Sequence, residues 1–199
     1  MKHYCETDRL ILNIMNSDSV PMVLAFYEDN KAQFEKWEQK RPNHFYSLSY
    51  QKASLSADYY QIAEGKLLRY WVFLKENPDE IVGTVCFQNF LKAPYLSCTI
   101  GYKFNQKYSH NGYAFESIQK GLEIIFNEYG MHRIEAFIMP NNMASLRLIE
   151  RLPFIYEGIS YSYANINGIW SDHKRYVCIN PKDVTLPAGT HPDLVHETM

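Results

Sequence analysis

Residues 96–128 read LSCTIGYKFNQKYSHNGYAFESIQKGLEIIFNE, and the architecture of the chain is organised around this stretch. It predicts a strand, then a polar turn over Asn105–Gly112, then a long helix whose apolar residues recur at helical spacing. The first backbone N–H groups of a helix have no partner inside the helix, and the helix dipole places partial positive charge there. The stretch therefore predicts a site that can hold a phosphorylated ligand with backbone atoms.

The residues on either side predict a mixed sheet with helices. Upstream, the patterns predict strands at Leu10–Ile14, Tyr70–Leu74 and Ile81–Phe90, helices at Val20–Asp29, Gln33–Lys40 and Ser49–Glu64, and a turn at Asn77–Asp79. Downstream, they predict a strand at Arg133–Ile138, a short helix at Met143–Leu152 and a closing hairpin of Phe154–Tyr163 and Gly168–Ile179. Because Arg133–Ile138 follows a strand and a helix, we expect it to run parallel to the strand Leu96–Phe104. The other connections are short, so we expect antiparallel strands on both sides of this parallel pair.

Composition and charge narrow the class of protein. The chain has 199 residues, of which 46% are hydrophobic and 15% aromatic, as is typical of a globular domain with a sizeable core. The net charge of −2 argues against nucleic acid as a partner, because phosphate binding needs a basic surface. No apolar run approaches the ~18–20 residues of a membrane span. The N-terminus lacks the apolar segment of a signal peptide, so we expect a cytoplasmic protein that contacts no membrane.

The four cysteines predict neither a metal site nor a redox motif. Cys5, Cys86, Cys98 and Cys178 form no C-x-x-C pair, and no Cys/His cluster has zinc spacing. We interpret them as small buried residues in a reducing compartment, with disulfides or a nucleophilic thiol as the alternatives.

Short motifs spread along the chain fit one enzyme family. They are Thr7–Leu10, Ile100–Tyr102, Gly112–Ala114 with Glu116, His132–Ile134, Asn142 with Ser145, Phe154–Gly158 and Asn167–His173. In this order the motifs resemble the GNAT acetyltransferases and, more narrowly, the RimJ/RimL-type ribosomal-protein N-acetyltransferases, closest to the RimJ side. The resemblance implies an α/β (α+β) fold with a mixed, mostly antiparallel seven-stranded sheet, a central parallel pair splayed for CoA, and about four flanking helices. We expect one domain over residues 1–180 and a tail over residues 181–199.

The resemblance implies acetyl-CoA as the acetyl donor and no metal. Its pantetheine arm would lie in a notch between the two parallel strands, against the backbone near Ile100 and Tyr102. Its pyrophosphate would lie on the turn that opens the long helix, which comprises Lys107, Tyr108, Ser109, His110, Asn111, Gly112, Tyr113 and Ala114. Asn142 and Ser145 complete the implied cofactor site.

Two residues depart from the family pattern. His110 occupies the first glycine position of the pyrophosphate loop, so a Cβ and an imidazole lie where backbone usually approaches phosphate. A histidine can adopt the left-handed conformation at some cost. Pro153 stands where the family has a glycine after the short helix. Because proline cannot take a positive φ, we expect that helix to end differently.

Acetyl transfer needs a neutral amine and a protonated leaving thiol. Many relatives place a tyrosine on the short helix where this chain has Ile149, which cannot donate a proton. The resemblance implies that Ser145 protonates the thiolate; the alternative is that it only bonds the cofactor or the helix start. Glu116 and Glu135 are the candidate bases. Alternatively, Glu116 is a first-turn carboxylate that the helix dipole stabilises, and Glu135 is a residue on the polar face of its strand.

The acceptor groove is expected between the residue 33–60 helices and the closing hairpin. Trp37, Tyr46 and Tyr161 are candidate substrate-binding residues, together with Phe45 and Tyr163, and core packing is the alternative for each. The predicted function is acetyl transfer to a primary amine, most simply the N-terminal α-amine of a ribosomal or other protein. The alternatives are a small-amine acetyltransferase (for a polyamine, amino acid or antibiotic) and a CoA-binding module with little or no catalysis. We expect a monomer or a homodimer.

Overall fold

The computed structural model describes residues 3–183. Its centre is one eight-stranded sheet with the order β1-β2-β3-β4-β5-β6-β8-β7. The strands are β1 Tyr4–Glu6, β2 Leu10–Asn13, β3 Leu68–Leu74, β4 Asn77–Leu91, β5 Ser97–Phe104, β6 Arg133–Ile138, β7 Ile155–Ile166 and β8 Ile169–Ile179. The predicted parallel pair is confirmed, because β5 and β6 run parallel and all other neighbours run antiparallel. The tail expected from residue 181 lies outside the described residues, apart from a 3-10 turn at Pro181–Asp183.

Within residues 3–183, five helices flank the sheet. They are α1 Val20–Asp29, α2 Lys31–Phe34, α3 Leu48–Ala63, α4 Tyr113–Asn127 and α5 Met143–Ile149. The helix predicted at Gln33–Lys40 is wrong in extent, since the chain makes the single turn of α2 and then a 3-10 turn at Glu35–Trp37. This segment is polar and carries no apolar stripe long enough to hold a longer helix on the sheet.

Two details of the strands differ from the prediction. The short β1 adds an eighth strand, which pairs with β2 through Cys5 and Leu12. The turn predicted at Asn77–Asp79 is wrong, because β3 and β4 are joined at residues 75 and 76. Pro78 lies within β4 at a register shift, where no partner on β3 needs its missing N–H.

The helix α4 packs closely on the sheet. Its Gly121 lies against Phe87 of β4, where a Cβ would come within 2.8 Å of the buried ring.

Cys86, Cys98 and Cys178 are buried free thiols, as interpreted from the sequence. Burial raises the pKa of Cys98 to about 12, so this thiol stays protonated at neutral pH. The core therefore uses these cysteines as apolar residues.

The short helix α5 ends without a left-handed residue, as expected from Pro153. The Arg151 N–H donates to the carbonyl of Leu148 at 3.2 Å, and the Leu152 N–H donates to that of Ile149 at 3.1 Å. These tighter bonds close the last turn, so no glycine is needed.

Glu116 in the first turn of α4 binds the N-terminal segment to this helix. The Thr7 hydroxyl donates to its Oε1 at 2.5 Å, and the Arg9 backbone N–H donates to the same oxygen at 3.1 Å. The Arg9 guanidinium holds the other oxygen, with Nη2 2.6 Å from Oε2. Arg9 also donates to the Asn111 carbonyl at 3.0 Å and lies 4.7 Å from the centre of the Tyr113 ring. These contacts fix the start of α4.

The charge of Glu116 contributes stability that depends on pH. Burial by itself raises the pKa of Glu116, but hydrogen bonds from Thr7 and Arg9 outweigh burial and leave the pKa below its ordinary value of 4.5. A carboxyl whose pKa is lowered in the folded protein stabilises it above the unfolded pKa. That contribution is lost as the pH falls through the folded pKa.

We expect Glu116→Gln to lower the free energy of unfolding by about 1–3 kcal/mol at neutral pH, because it removes charge-assisted hydrogen bonds. The difference from wild type should shrink as the pH falls below about 4.5, and urea unfolding at both pH values measures it. The control is Glu123→Gln, which breaks an exposed pair with Lys120 on the same helix and should change stability by less than about 0.5 kcal/mol. Equal stability of Glu116→Gln and wild type at neutral pH would contradict the assignment.

Candidate active site

The site arises where the two parallel strands separate. β5 and β6 pair over only three positions, Ser97–Arg133, Cys98–Ile134 and Thr99–Glu135. Beyond Thr99, β5 continues paired with β4, and beyond Glu135, β6 continues paired with β8. The edges that face each other therefore have no strand partner over the second half of each strand. Backbone groups on such edges are available to an extended ligand.

A cavity of about 890 Å³ begins at this split. This volume lies within the usual range of small-molecule sites, about 300–1,000 Å³. It is lined by Ile100, Gly101 and Tyr102 of β5, Ala136, Phe137 and Ile138 of β6, Tyr108, Ser109, His110 and Gly112 before α4, Tyr113, Ala114 and Phe115 of α4, and Asn142, Ala144 and Ser145 at α5. The structure thus brings together most of the cofactor-binding residues named from the sequence.

The start of α4 forms one end of the cavity. Gly112 stands at the N-cap with φ +80°, and no side chain caps the helix there. The first N–H groups of α4 thus have no acceptor within the helix and open towards the cavity end. His110 adopts the left-handed conformation, with φ +65°, as its place in the loop pattern requires. This end has the form of an anion site built from backbone.

Lys107 and Asn111 support this loop from outside rather than lining the cavity. Glu80 accepts hydrogen bonds from the Lys107 ammonium at 2.8 Å and from the Tyr108 hydroxyl at 2.6 Å. The Asn111 amide donates to the carbonyl of Ser109 at 3.2 Å. Because Lys107 is paired with a carboxylate, its charge is largely compensated on the far side of the loop.

The first turn of α5 brings Ser145 to the cavity wall. The Asn142 side chain caps this helix by accepting the Ser145 N–H at 3.3 Å. The Tyr102 hydroxyl donates to the Ser145 carbonyl at 3.3 Å. Burial raises the pKa of Tyr102, so its phenol is protonated at neutral pH. Sequence reasoning placed Tyr102 here through its backbone but missed that its hydroxyl lies beside Ser145.

The two carboxylates proposed as bases lie outside the cavity lining. Glu116 is held by Thr7 and Arg9, as described above. Glu135 accepts from Arg133, whose Nη2 is 2.7 Å from its Oε1, and Arg133 also contacts Glu157. The carboxylate that does line the cavity is Glu38, which sequence reasoning did not single out.

Glu38 lies between two cations. Its Oε2 is 2.8 Å from Nη2 of Arg41, and its Oε1 is 2.8 Å from Nζ of Lys103. Each oxygen of Glu38 therefore lies within ion-pair distance of a cation.

The acceptor residues named from the sequence lie in three different environments. Trp37 lines the cavity. Tyr46 does not line it; its hydroxyl donates to Glu35 at 2.8 Å, and burial together with this bond raises its pKa to about 12. Tyr161 is 78% exposed on the register shift of β7.

Residues of the sheet other than Tyr161 line this part of the cavity. Phe137 and His173 line the cavity, and Phe137 stacks on Tyr163 with ring centres 4.1 Å apart. The bulge in β7, where Ser162 has φ +46°, brings Tyr163 to Phe137. The tip of the hairpin is bound across the site, because the Asn167 amide donates to the Glu35 carbonyl at 2.6 Å.

Within residues 3–183, no group of three or more His, Cys, Asp or Glu side chains is placed to hold a metal ion. In the same range, no helix is both long and apolar enough to cross a membrane.

Known proteins resemble this chain over most of its length. The Acetyltransferase (GNAT) domain model matches residues 9–155, well over half of the chain. The [Ribosomal protein uS5]-alanine N-acetyltransferase of Escherichia coli (strain K12) is 29% identical over 171 residues, covering 84% of this chain and 86% of that protein. The probable N-acetyltransferase YjcK of Bacillus subtilis (strain 168) is 27% identical over 160 residues, covering 80% and 88%.

Solved structures show the same fold. The ribosomal-protein-S5-alanine acetyltransferase of Vibrio fischeri superposes with a TM-score of 0.85 at 24% identity, over 94% of this chain and 100% of that one. Mycobacterium smegmatis RimJ in complex with CoA-disulfide superposes with a TM-score of 0.81 at 21% identity, over 89% and 84%. The chain belongs to the GNAT acetyltransferase family and is an N-acetyltransferase, and the relatives that it matches include ribosomal-protein N-acetyltransferases.

Proposed function

We propose that this enzyme transfers the acetyl group of acetyl-CoA to the N-terminal α-amine of a protein, with ribosomal proteins as the substrate class. The observation that carries the proposal is the cavity at the split of β5 and β6, with an uncapped helix start at one end. The relative from Escherichia coli, whose name gives a ribosomal-protein alanine as its substrate, supports the acceptor class.

The residues present fit acetyl-CoA. The unpaired edges of β5 and β6 offer N–H and C=O groups to the amides of an extended pantetheine arm. The backbone N–H groups at Gly112–Ala114 suit the diphosphate. Asn142 and Ser145 line the same cavity at the start of α5 and are the residues proposed to meet the thioester.

The charges around the acceptor end favour an α-amine over a lysine. An α-amine, with a pKa of about 8, is roughly a tenth neutral at pH 7, whereas a lysine with a pKa of about 10.4 is almost wholly charged. Deprotonating a lysine therefore costs about 3.3–3.7 kcal/mol more than deprotonating an α-amine, so an α-amine can react without a strong base whereas a lysine can hardly do so. The one carboxylate among the described cavity-lining residues, Glu38, is engaged by Arg41 and Lys103.

In this reaction the amine nitrogen attacks the thioester carbonyl, the C–N bond forms and the C–S bond breaks. The leaving thiolate takes a proton from its donor, the amine gives one to solvent, and solvent returns one to the donor. Ser145 is the proposed proton donor, because it lines the cavity at the start of α5 and its side chain interacts with the Tyr102 phenol. Tyr102, protonated and bound to the same residue, orients the first turn of α5.

The function is tested by measuring CoA thiol release with a panel of amines. Peptides with a free N-terminal alanine or serine should react, and the same peptides with a blocked N-terminus and an internal lysine should not. Reaction confined to spermidine or free amino acids would instead assign a small-amine acetyltransferase. Tight acetyl-CoA binding without turnover on any amine would assign a CoA-binding module.

Ser145→Ala should lower kcat by about 100-fold, because a positioned proton donor is typically worth about 10²–10⁴-fold. The KM for acetyl-CoA should stay within about threefold, since the backbone that holds the cofactor is unchanged. Steady-state kinetics with the reactive peptide measures both.

Tyr102→Phe is the matched variant for Ser145→Ala. It should lower kcat by less than about tenfold, because the phenol only orients Ser145. A large loss in Tyr102→Phe beside an unchanged rate in Ser145→Ala would make the phenol the proton donor and remove Ser145 from catalysis.

We expect His110→Gly to keep or tighten acetyl-CoA binding, because glycine adopts the left-handed backbone of residue 110 without the roughly 1–2 kcal/mol cost of a Cβ. His110→Ala is the control, since it removes the imidazole but keeps the Cβ. Calorimetry gives the dissociation constants. If both variants bind markedly more weakly than wild type, the imidazole is itself a phosphate or adenine contact.

A further inference from the structure

We propose that Arg147 and Arg151 of the α5 segment form a subsite for the 3′-phosphate on the ribose of CoA. The ligand is a phosphomonoester, and the subsite would make the enzyme distinguish CoA from 3′-dephospho-CoA. This inference rests on the proposed use of acetyl-CoA and adds a cation pair that no loop motif predicts.

The charges of the cavity lining single out these two arginines. Of the lysines and arginines that line it, Arg69 is paired with Asp58 at 2.7 Å and Lys103 with Glu38 at 2.8 Å. Arg147 and Arg151 also line the cavity and are exposed. Neither has a carboxylate partner among residues 3–183. The cavity thus carries two uncompensated positive charges in one place.

The two arginines are separated by one turn of the chain. Arg147 lies on α5 and Arg151 lies in the turn that closes it, where its N–H donates to the Leu148 carbonyl. Leu148, between them in sequence, also lines the cavity. The acidic residue of this segment, Glu150, is turned away, because its carboxylate accepts the hydroxyl of Tyr176 on β8 at 3.2 Å.

A contact with α4 places the pair near the anion end. The guanidinium carbon of Arg151 lies 5.2 Å from the centre of the Phe115 ring, and Phe115 belongs to the first helical residues after Gly112. The pair therefore faces the mouth of the cavity between the start of α4 and the end of α5. A ligand whose diphosphate lies on the start of α4 would leave the cavity beside these arginines.

The chemistry of CoA matches this arrangement. Besides its diphosphate, it carries a phosphomonoester of charge about −1.5 to −2 at neutral pH. Guanidinium groups bind phosphate oxygens through two parallel N–H bonds, which makes arginine well suited to this group. Two neighbouring guanidinium charges repel each other in the absence of an anion. A bound phosphate relieves that repulsion.

The test compares CoA and 3′-dephospho-CoA by calorimetry at low salt. Wild type should bind CoA about tenfold more tightly or more, because charge-assisted hydrogen bonds to phosphate are the strong ones. The double variant Arg147→Gln/Arg151→Gln should bind CoA about tenfold more weakly, while binding of 3′-dephospho-CoA stays within about twofold. The control Lys52→Gln/Lys92→Gln removes two exposed charges outside the cavity lining and should keep the discrimination.

The remaining outcomes overturn the inference in distinguishable ways. Equal affinity of wild type for the two ligands, or equal losses for both in the arginine variant, would show that the arginines do not bind the 3′-phosphate. If the lysine control also lost the preference for CoA over 3′-dephospho-CoA, net charge rather than the arginine pair would explain that preference. Binding of neither ligand by wild type would remove the proposed function as well. Inorganic phosphate that competes as strongly as adenosine 3′,5′-bisphosphate would make the pair a general anion site.

Discussion

The structure depends on the short extent of pairing between β5 and β6. Backbone N–H and C=O groups must be satisfied somewhere, and a strand edge left open inside a protein is costly unless a ligand or water meets it. Here each central strand is held along its outer edge, β5 by β4 and β6 by β8, so the inner edges can part after Thr99 and Glu135. The fold therefore keeps a pair of extended backbone edges available without giving up its sheet.

The anion end of the cavity is held in shape by residues that do not line it. Arg9 and Thr7 bind Glu116 on one side of the loop, and Glu80 binds Lys107 and Tyr108 on the other. Both carboxylates are thus committed to structure. A loop whose backbone is fixed before the ligand arrives loses less conformational freedom on binding, and this is how the left-handed His110 can be tolerated there.

Features that depend on neighbouring residues in the sequence could be predicted, whereas features that depend on contacts between distant parts of the chain could not. The bounds of α1 and β6 were predicted to the residue, because local periodicity and turn residues determine them. The strand β4 was predicted from Ile81, but its first residues, which include Pro78, were not, because they lie at a register shift against β3. Sites built from one stretch of backbone, such as the start of α4, can be predicted in the same way. The contacts of Glu38 with Lys103 and of Tyr163 with Phe137 could not be predicted, because a distant strand and a bulge bring these residues together.

The charge of the cavity bears on how an acceptor amine becomes neutral. Nearby cations disfavour an ammonium ion and lower its pKa. At the proposed acceptor end, Glu38 carries one negative charge, and Arg41 and Lys103 carry two positive charges. For the proposed α-amine acceptor, this balance favours loss of the proton to solvent. A shift of one pKa unit changes the neutral fraction of an α-amine from roughly a tenth to about a half, whereas a lysine would still be more than about 99% charged. A site that works by disfavouring the cation, rather than by a base, therefore suits α-amines.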